Sequence, residues 1–197
     1  MKLYYSPGAC SLADHIALIE SGLSFETEKV DLKAKTTESG ARYTDINPKG
    51  YVPALGLDDG GVLTENIAIL SFIADRAGQL IQAGDLGRFR TLEALAYIST
   101  ELHKGFKPFF TPDASDDDKA KAKEALGKRF ALFEATLEGQ DFVLGNSFTI
   151  ADCYMFVMLF WAKTKADVPV PARLSAYYDR LTARDSIRNA LADEGLS

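Results

Sequence analysis

Apolar positions recur with two different periods along the chain, and the change of period divides it. Through roughly the first eighty residues, short strand-like and helix-like runs alternate. KLYY, Lys2 to Tyr5, reads as a short strand. SLADHIALIESG follows, with Leu12, Ile16 and Ile19 at helical spacing and Gly22 placed to end the helix. FETEKVDL, Phe25 to Leu32, suits a second strand, and Thr36 to Ile46 suits a short, irregular helix. VPALGL, Val52 to Leu57, is a strand opened by a proline. Asp58 to Gly61, DDGG, signals a hairpin, and Val62-Leu63 begins the returning strand. ENIAILSFIADRAG completes the series as a helix with Ile69, Phe72 and Ile73 inward and Gly78 at its end. The order β-α-β-α-β-β-α predicts a small mixed sheet covered by helices.

AGQLIQAGD, Ala77 to Asp85, breaks this pattern, and no strand pattern follows it. Phe89, Leu92, Leu95, Ser99, Leu102 and Phe106 lie along one helical stripe. Leu126, Phe130, Phe133 and Leu137 make a second stripe, and Leu174, Tyr177, Tyr178 and Leu181 a third. CYMFVMLFWA, Cys153 to Ala162, is apolar throughout and reads as a helix buried on all sides. The expected architecture is therefore α/β plus all-α: a sheet domain over residues 1–77, a linker over 78–85 and a helical domain over 86–197.

Charge and composition narrow the function. A formal net charge of −6 with no long Lys/Arg block makes the chain a poor binder of nucleic acid or anionic membranes. The apolar run at Cys153 falls short of the about 20 residues that span a bilayer. The N-terminus lacks the long apolar core of a signal peptide. Two cysteines far apart in sequence fit a reducing compartment, which makes the cytoplasm the default location. Two cysteines and two histidines at no ligand spacing give no metal set.

The candidate chemistry begins at SPGACSL. Cys10 stands between a turn and the start of a helix, where free backbone N–H groups and the helix dipole favour a thiolate. Ser11 adds a hydroxyl able to donate to the sulfur. Two readings stand: a functional thiol, or a small buried side chain. Pro7 and Ala13 occupy the places where a second thiol would make a dithiol pair, so an internal redox cycle is disfavoured. Cys153, inside the apolar helix, reads as a core residue. Tyr4 and Tyr5 either point at the site or pack the core. In INPKGYVPAL, Pro53 costs a ladder hydrogen bond unless the strand starts there, and the break can free the backbone of Val52 for an extended peptide ligand. In LTENIAI, Thr64, Glu65 and Asn66 form an N-cap pattern, and the same place can receive an α-amino acid terminus, with backbone N–H groups on its carboxylate and Glu65 on its ammonium. In ELHKGF, His103 follows Ser99 by one turn, with Lys104 beside it, a pair able to meet an anion or a thiolate. His15, amid apolar residues, reads as structural. Thr149 and Asp152 form a capping box at the start of the apolar helix.

SPGACSL, INPKGYVPAL, LTENIAI, ELHKGF and SFTIAD, in this order, resemble a bacterial beta-class glutathione S-transferase over essentially the whole chain. The resemblance implies a thioredoxin-like N-terminal domain, an all-helical C-terminal domain and a homodimer. It implies glutathione as cosubstrate, with an electrophilic small molecule as the second substrate. Cys10 would lie beside the glutathione sulfur and be able to form a mixed disulfide with it. Val52, before a cis Pro53, would pair with the cysteinyl unit. Glu65 and Asn66 would hold the γ-glutamyl end, Lys35 and Lys104 would sit near the anionic ends, and His103 would reach the site from the helical domain. Tyr5, Ser11 and Ser99 are further candidates. The chain departs from the family at Asp14, which adds a negative charge near Cys10, at Ala96, where a polar contact is missing, and at Asn66.

Three functions follow. The first is transfer of the glutathione thiol to an electrophile, weak toward standard aryl halides if Cys10 is itself a thiolate and repels a second one. The next is glutathione-dependent thiol–disulfide exchange or reductive dehalogenation through a Cys10 mixed disulfide. The last is non-catalytic ligand binding on the same scaffold.

Overall fold

A computed structural model describes residues 1–196. In chain order the elements are β1 (Lys2–Tyr5), α1 (Leu12–Ser21), β2 (Glu26–Asp31), β3 (Thr36–Thr37), α2 (Tyr43–Ile46), β4 (Ala54–Gly56), β5 (Val62–Thr64) and α3 (Asn66–Ala77). Then come α4 (Gly87–Tyr97), α5 (Lys107–Phe110), α6 (Asp116–Thr136), α7 (Ile150–Trp161), α8 (Ala172–Thr182) and α9 (Asp185–Asp193). The described residues form two units: 1–80 together with 184–196, and Ile81–Ala183.

The first unit is thioredoxin-like, with a sheet of order β3-β2-β1-β4-β5. β1 lies at the centre, parallel to β2 and antiparallel to β4, with Leu3 opposite both Thr27 and Leu55. Alternation along β1 sends neighbouring tyrosines to opposite faces. Tyr5 meets His15 of α1 at 5.8 Å between ring centres, whereas Tyr4 meets Tyr43 of α2 at 5.9 Å. Behind Tyr4, Val30, Tyr43, Val52 and Ala54 form a buried cluster. Helix α1 ends at Gly22, whose φ of 70° carries the left-handed cap that glycine adopts without a Cβ clash.

Two expectations change here. Thr36 to Ile46 is a short strand followed by one helical turn. The Asp31 carboxylate accepts from the N–H groups of Lys33 and Ala34 (2.8 and 2.9 Å), and Lys35 turns back at φ 58°. That reversal lays Thr37 opposite Val30 as an edge strand. In addition, α9 belongs with the first unit, although periodicity grouped it with the helical half. Its polar groups are bound to α1: Ser186 donates to Glu20 at 2.5 Å, Arg184 pairs with the same carboxylate, and Glu194 meets His15 at 3.0 Å.

The second unit is all-helical among its described elements. Every residue of α7 is buried, as its unbroken apolar sequence requires. Leu126, Phe130, Phe133 and Leu137 are buried together, as are Leu174, Tyr177 and Leu181. Phe89 leaves the expected stripe and is 64% exposed. Gly87, Thr91 and Leu95, at i, i+4 and i+8, turn one face of α4 inward, and two residues on from Gly87 puts Phe89 on the opposite side of the same helix. No helix among the described residues is long and apolar enough to cross a membrane.

The start of α7 is fixed by one carboxylate. Asp152 is fully buried and accepts four hydrogen bonds: from the N–H and hydroxyl of Thr149 (both 2.8 Å), the N–H of Val143 (2.8 Å) and the hydroxyl of Tyr177 (2.7 Å). The capping box thus also ties down the preceding loop and α8. Burial raises the Asp152 carboxyl above its ordinary value, against the pull of these donors. Replacing Asp152 with Ala leaves its partners unpaired and is expected to cost roughly 3–5 kcal/mol. Tyr177→Phe removes one bond and is expected to cost about 1–2 kcal/mol. Urea unfolding with an unchanged slope checks both values.

Candidate functional site

The turn from Ser6 to Cys10 joins β1 to α1, and it has no strand partner to satisfy its backbone. Ala9 N–H donates back to the Ser6 carbonyl at 2.9 Å, and side chains add to this. Gly8, at φ 69°, donates its N–H to Glu194 Oε2 at 2.8 Å. Ser6 N–H donates to Ser11 Oγ at 3.3 Å, so the Ser11 hydroxyl closes the turn rather than serving the sulfur. Asn66 Nδ2, at the first turn of α3, donates to the Cys10 carbonyl at 3.1 Å. The Cys10 thiol, half-buried, donates to the Val52 carbonyl at 3.5 Å. The structure thus brings Cys10, Ser11, Val52 and Asn66 together in the first unit.

The thiol is not the thiolate that its helix position predicts. Burial, and next the Asp14 carboxyl, push Cys10 up to about 12. The backbone N–H groups of Cys10 and Ser11 pull the other way and lose, and Glu65 adds to the rise. The dipole argument is correct in sign but too small against desolvation in this turn. Asp14 itself is fully buried, and neither of its oxygens has a hydrogen-bond partner among the described residues. Burial, together with the nearby Glu194, raises it well above the ordinary carboxyl value.

Val52-Pro53 is cis and lies just before the β4 ladder. The preceding residue is anchored twice: the carbonyl of Tyr51 accepts from Tyr43 Oη at 2.9 Å and from Asn47 Nδ2 at 2.7 Å. The expected cap on α3 takes a different form. Glu65 holds the N-cap position at φ 73° with no side-chain cap, and Thr64 is used elsewhere. The Glu65 carboxylate accepts from Lys49 Nζ at 2.5 Å and Tyr51 Oη at 2.7 Å, and Lys49 also reaches Thr64 Oγ1 at 3.0 Å. These donors, Lys49 first, hold Glu65 below its ordinary value. Lys35 Nζ donates to the Gly50 carbonyl at 2.7 Å. Tyr5 packs on His15.

Sequence reading missed Lys49, Tyr51 and Glu194. The first two lie inside the segment already singled out, INPKGYVPAL, but a contact across the β4–β5 hairpin leaves no trace in spacing. Glu194 is almost the whole chain away from Gly8.

His103, Lys104 and Ser99 lie in the second unit. Ser99 is inside the π-helical turn, and His103 opens the 3-10 turn that follows it. His103 Nδ1 is 2.5 Å from the Tyr154 hydroxyl, and its ring meets Trp161 edge-on at 5.0 Å. Trp161 also packs on Phe110 at 4.8 Å and precedes a second π-helical turn, Ala162–Ala166. Such turns recur at functional sites. Burial, and then the charge of Lys104, lower His103 to about 4. The imidazole is thus neutral at neutral pH and offers a hydrogen bond, not a charge, while the exposed Lys104 carries the charge.

Comparison with known proteins agrees with both units. Residues 9–76 match the family model of the glutathione S-transferase N-terminal domain, and residues 97–185 that of the C-terminal domain. The glutathione S-transferase GstA of Escherichia coli O157:H7 is 43% identical over 200 residues, with 100% of both chains covered. A sphingomonad glutathione S-transferase solved with glutathione is 45% identical with a TM-score of 0.92, again over 100% of both chains. The beta-class enzyme of Sphingomonas chungbukensis is 43% identical with a TM-score of 0.91 over 100% of both chains.

The buried Asp14 makes a pH-dependent prediction. Its carboxyl titrates higher in the folded chain than in the unfolded one. Below the ordinary carboxyl value both states are protonated, and the group costs nothing electrostatic. As pH rises above it, the unfolded chain ionises first and folding stability falls, until the folded pKa is passed. Asp14→Asn is therefore expected to match the parent in stability near pH 4 and to exceed it increasingly toward pH 8. Urea midpoints across that range give the comparison, and a pH-independent difference would contradict the assignment.

Proposed function

Because the chain belongs to the glutathione S-transferase family, we propose that it binds glutathione in the first unit and transfers the glutathione thiol to an electrophilic small molecule. The observation that carries this reading is the Cys10 thiol, held as a donor on the Val52 carbonyl at the start of α1. Val52 offers its backbone to the cysteinyl unit ahead of the β4 ladder. Glu65 takes the γ-glutamyl ammonium, with Asn66 beside it, and Lys35 and Lys104 serve the anionic ends. His103 supplies a neutral hydrogen bond to the sulfur or to the electrophile.

Cys10 in this reading remains a thiol. It turns its S–H from the Val52 carbonyl to the glutathione sulfur and stabilises that sulfur as the thiolate, while the glutathione proton passes to solvent. A second thiolate alongside would repel the first. The glutathione sulfur then attacks the electrophilic carbon; the S–C bond forms and the leaving group departs with its electron pair. The raised Cys10 pKa weighs against thiol–disulfide exchange, which needs Cys10 itself as the attacking thiolate.

The reading includes a homodimer acting in the cytoplasm. Support for self-association comes from the second unit, where Leu86, Phe89 and Leu132 are 60%, 64% and 64% exposed.

Calorimetry with glutathione, followed by steady-state kinetics of Cys10 variants, tests the proposal. The parent is expected to bind glutathione. Cys10→Ala loses one neutral hydrogen bond, so kcat/KM is expected to fall roughly tenfold. Cys10→Ser keeps a donor and is expected to recover most of that loss. A loss of about a thousandfold or more in both variants would make Cys10 the nucleophile instead. No heat with millimolar glutathione would favour a non-catalytic protein.

A further inference from the structure

The residue before Val52 carries chemistry that the reading above leaves unused. Tyr51 is 45% exposed, yet its backbone carbonyl is held by two buried side chains. Its carbonyl accepts from Tyr43 and Asn47, which are 0% and 1% exposed. Its phenol therefore projects from a fixed base, and it donates to Glu65 Oε1 at 2.7 Å. Lys49 donates to the same oxygen and to Thr64, so both donors converge on Oε1 and neither uses Oε2. Glu65 meanwhile sits at φ 73°, a backbone conformation that a residue with a side chain adopts at a cost. A strained residue whose carboxylate is oriented by two donors on one oxygen is set up to receive a cation on the other.

We propose that Tyr51 is a positioning residue: its phenol fixes the Glu65 carboxylate so that Oε2 accepts the α-ammonium of a γ-glutamyl ligand, and it thereby makes the site selective for ligands that carry a free α-amino group. This rests on the glutathione reading. The division of labour follows from charge. Lys49 brings a cation to Glu65 and so competes with the ligand ammonium. Tyr51 orients the carboxylate without neutralising it. The orienting donor is thus the phenol, and it acts through Glu65 rather than on the ligand.

The test compares the parent with Tyr51→Phe, which removes one exposed oxygen and leaves the ring and the anchored carbonyl in place. Glutathione and its deamino analogue, which lacks the α-amino group, are titrated by calorimetry and used as competing substrates. For Tyr51→Phe, KM for glutathione is expected to rise roughly three- to tenfold with kcat little changed. Binding of the deamino analogue is expected to stay within about twofold of the parent, so discrimination between the two ligands shrinks by the same factor. The acid limb of the KM profile is also expected to move to higher pH, because Glu65 loses a donor that favours its charged form. A purely structural role would lower the affinity for both ligands alike. Equal loss for both, or no change for either, overturns the inference while glutathione binding by the parent stands. Absence of glutathione binding by the parent overturns the underlying reading and the inference with it.

Discussion

A turn that carries a functional residue must still have its backbone polar groups satisfied, and the turn from Ser6 to Cys10 has no neighbouring strand to do it. Ala9 bonds back to Ser6 within the turn, Glu194 past the end of α9 binds Gly8 and Asn66 on α3 binds the Cys10 carbonyl, while the Val52 carbonyl takes the Cys10 side chain. The rest of the first unit follows from that requirement. Helix α9 has to lie on α1 for Glu194 to reach both Gly8 and His15. The proline break has to precede β4 for Val52 to present its carbonyl. A site built this way is fixed by groups from both ends of the chain, and changes remote in sequence act on it directly.

Both candidate reacting groups are neutral, and for the same reason. Cys10 and His103 are each kept from charging by desolvation first, with one nearby side chain adding to it, Asp14 for the thiol and Lys104 for the imidazole. Charge is left to side chains nearer the surface, Lys49, Glu65 and Lys104. In the proposed reaction, a neutral Cys10 stabilises a sulfur that must become anionic without forming an ion pair that holds it in place. Helix α7 shows the alternative use of a buried carboxylate. Asp152 has four donors and braces the fold, whereas Asp14 has none among the described residues.

The sequence carried most of the architecture because period and punctuation are local. Gly22 and Gly78 end their helices, the DDGG hairpin turns, and the unbroken apolar run at Cys153 is buried throughout. Where it misled, the cause was a contact with no local signature. Lys35 reverses the chain through a turn bound by Asp31, α4 buries the face of Gly87, Thr91 and Leu95 and leaves Phe89 outside, and α9 joins the first unit through the Arg184–Glu20 ion pair and hydrogen bonds to α1. The candidate site divides in the same way. Cys10, Val52-Pro53 and Glu65 stood out as breaks in pattern. Tyr51, Lys49 and Glu194 did not, because nothing in spacing records what a side chain touches across a hairpin or from the far end of the chain. The protonation of Cys10 stayed open in the sequence because a helix terminus and the Asp14 charge are visible there and desolvation is not.

The state of that thiol decides how the site works. The rate at which Cys10 is alkylated by a small uncharged reagent, followed by intact mass as pH is raised, reports its ionisation directly; Cys153, buried in α7, is shielded from the reagent. With the thiol pushed up to about 12, the rate is predicted to be still climbing at about pH 10 without levelling. A rate that reaches its plateau below about pH 8 would mean that the helix terminus outweighs burial and that Cys10 is a thiolate at neutral pH.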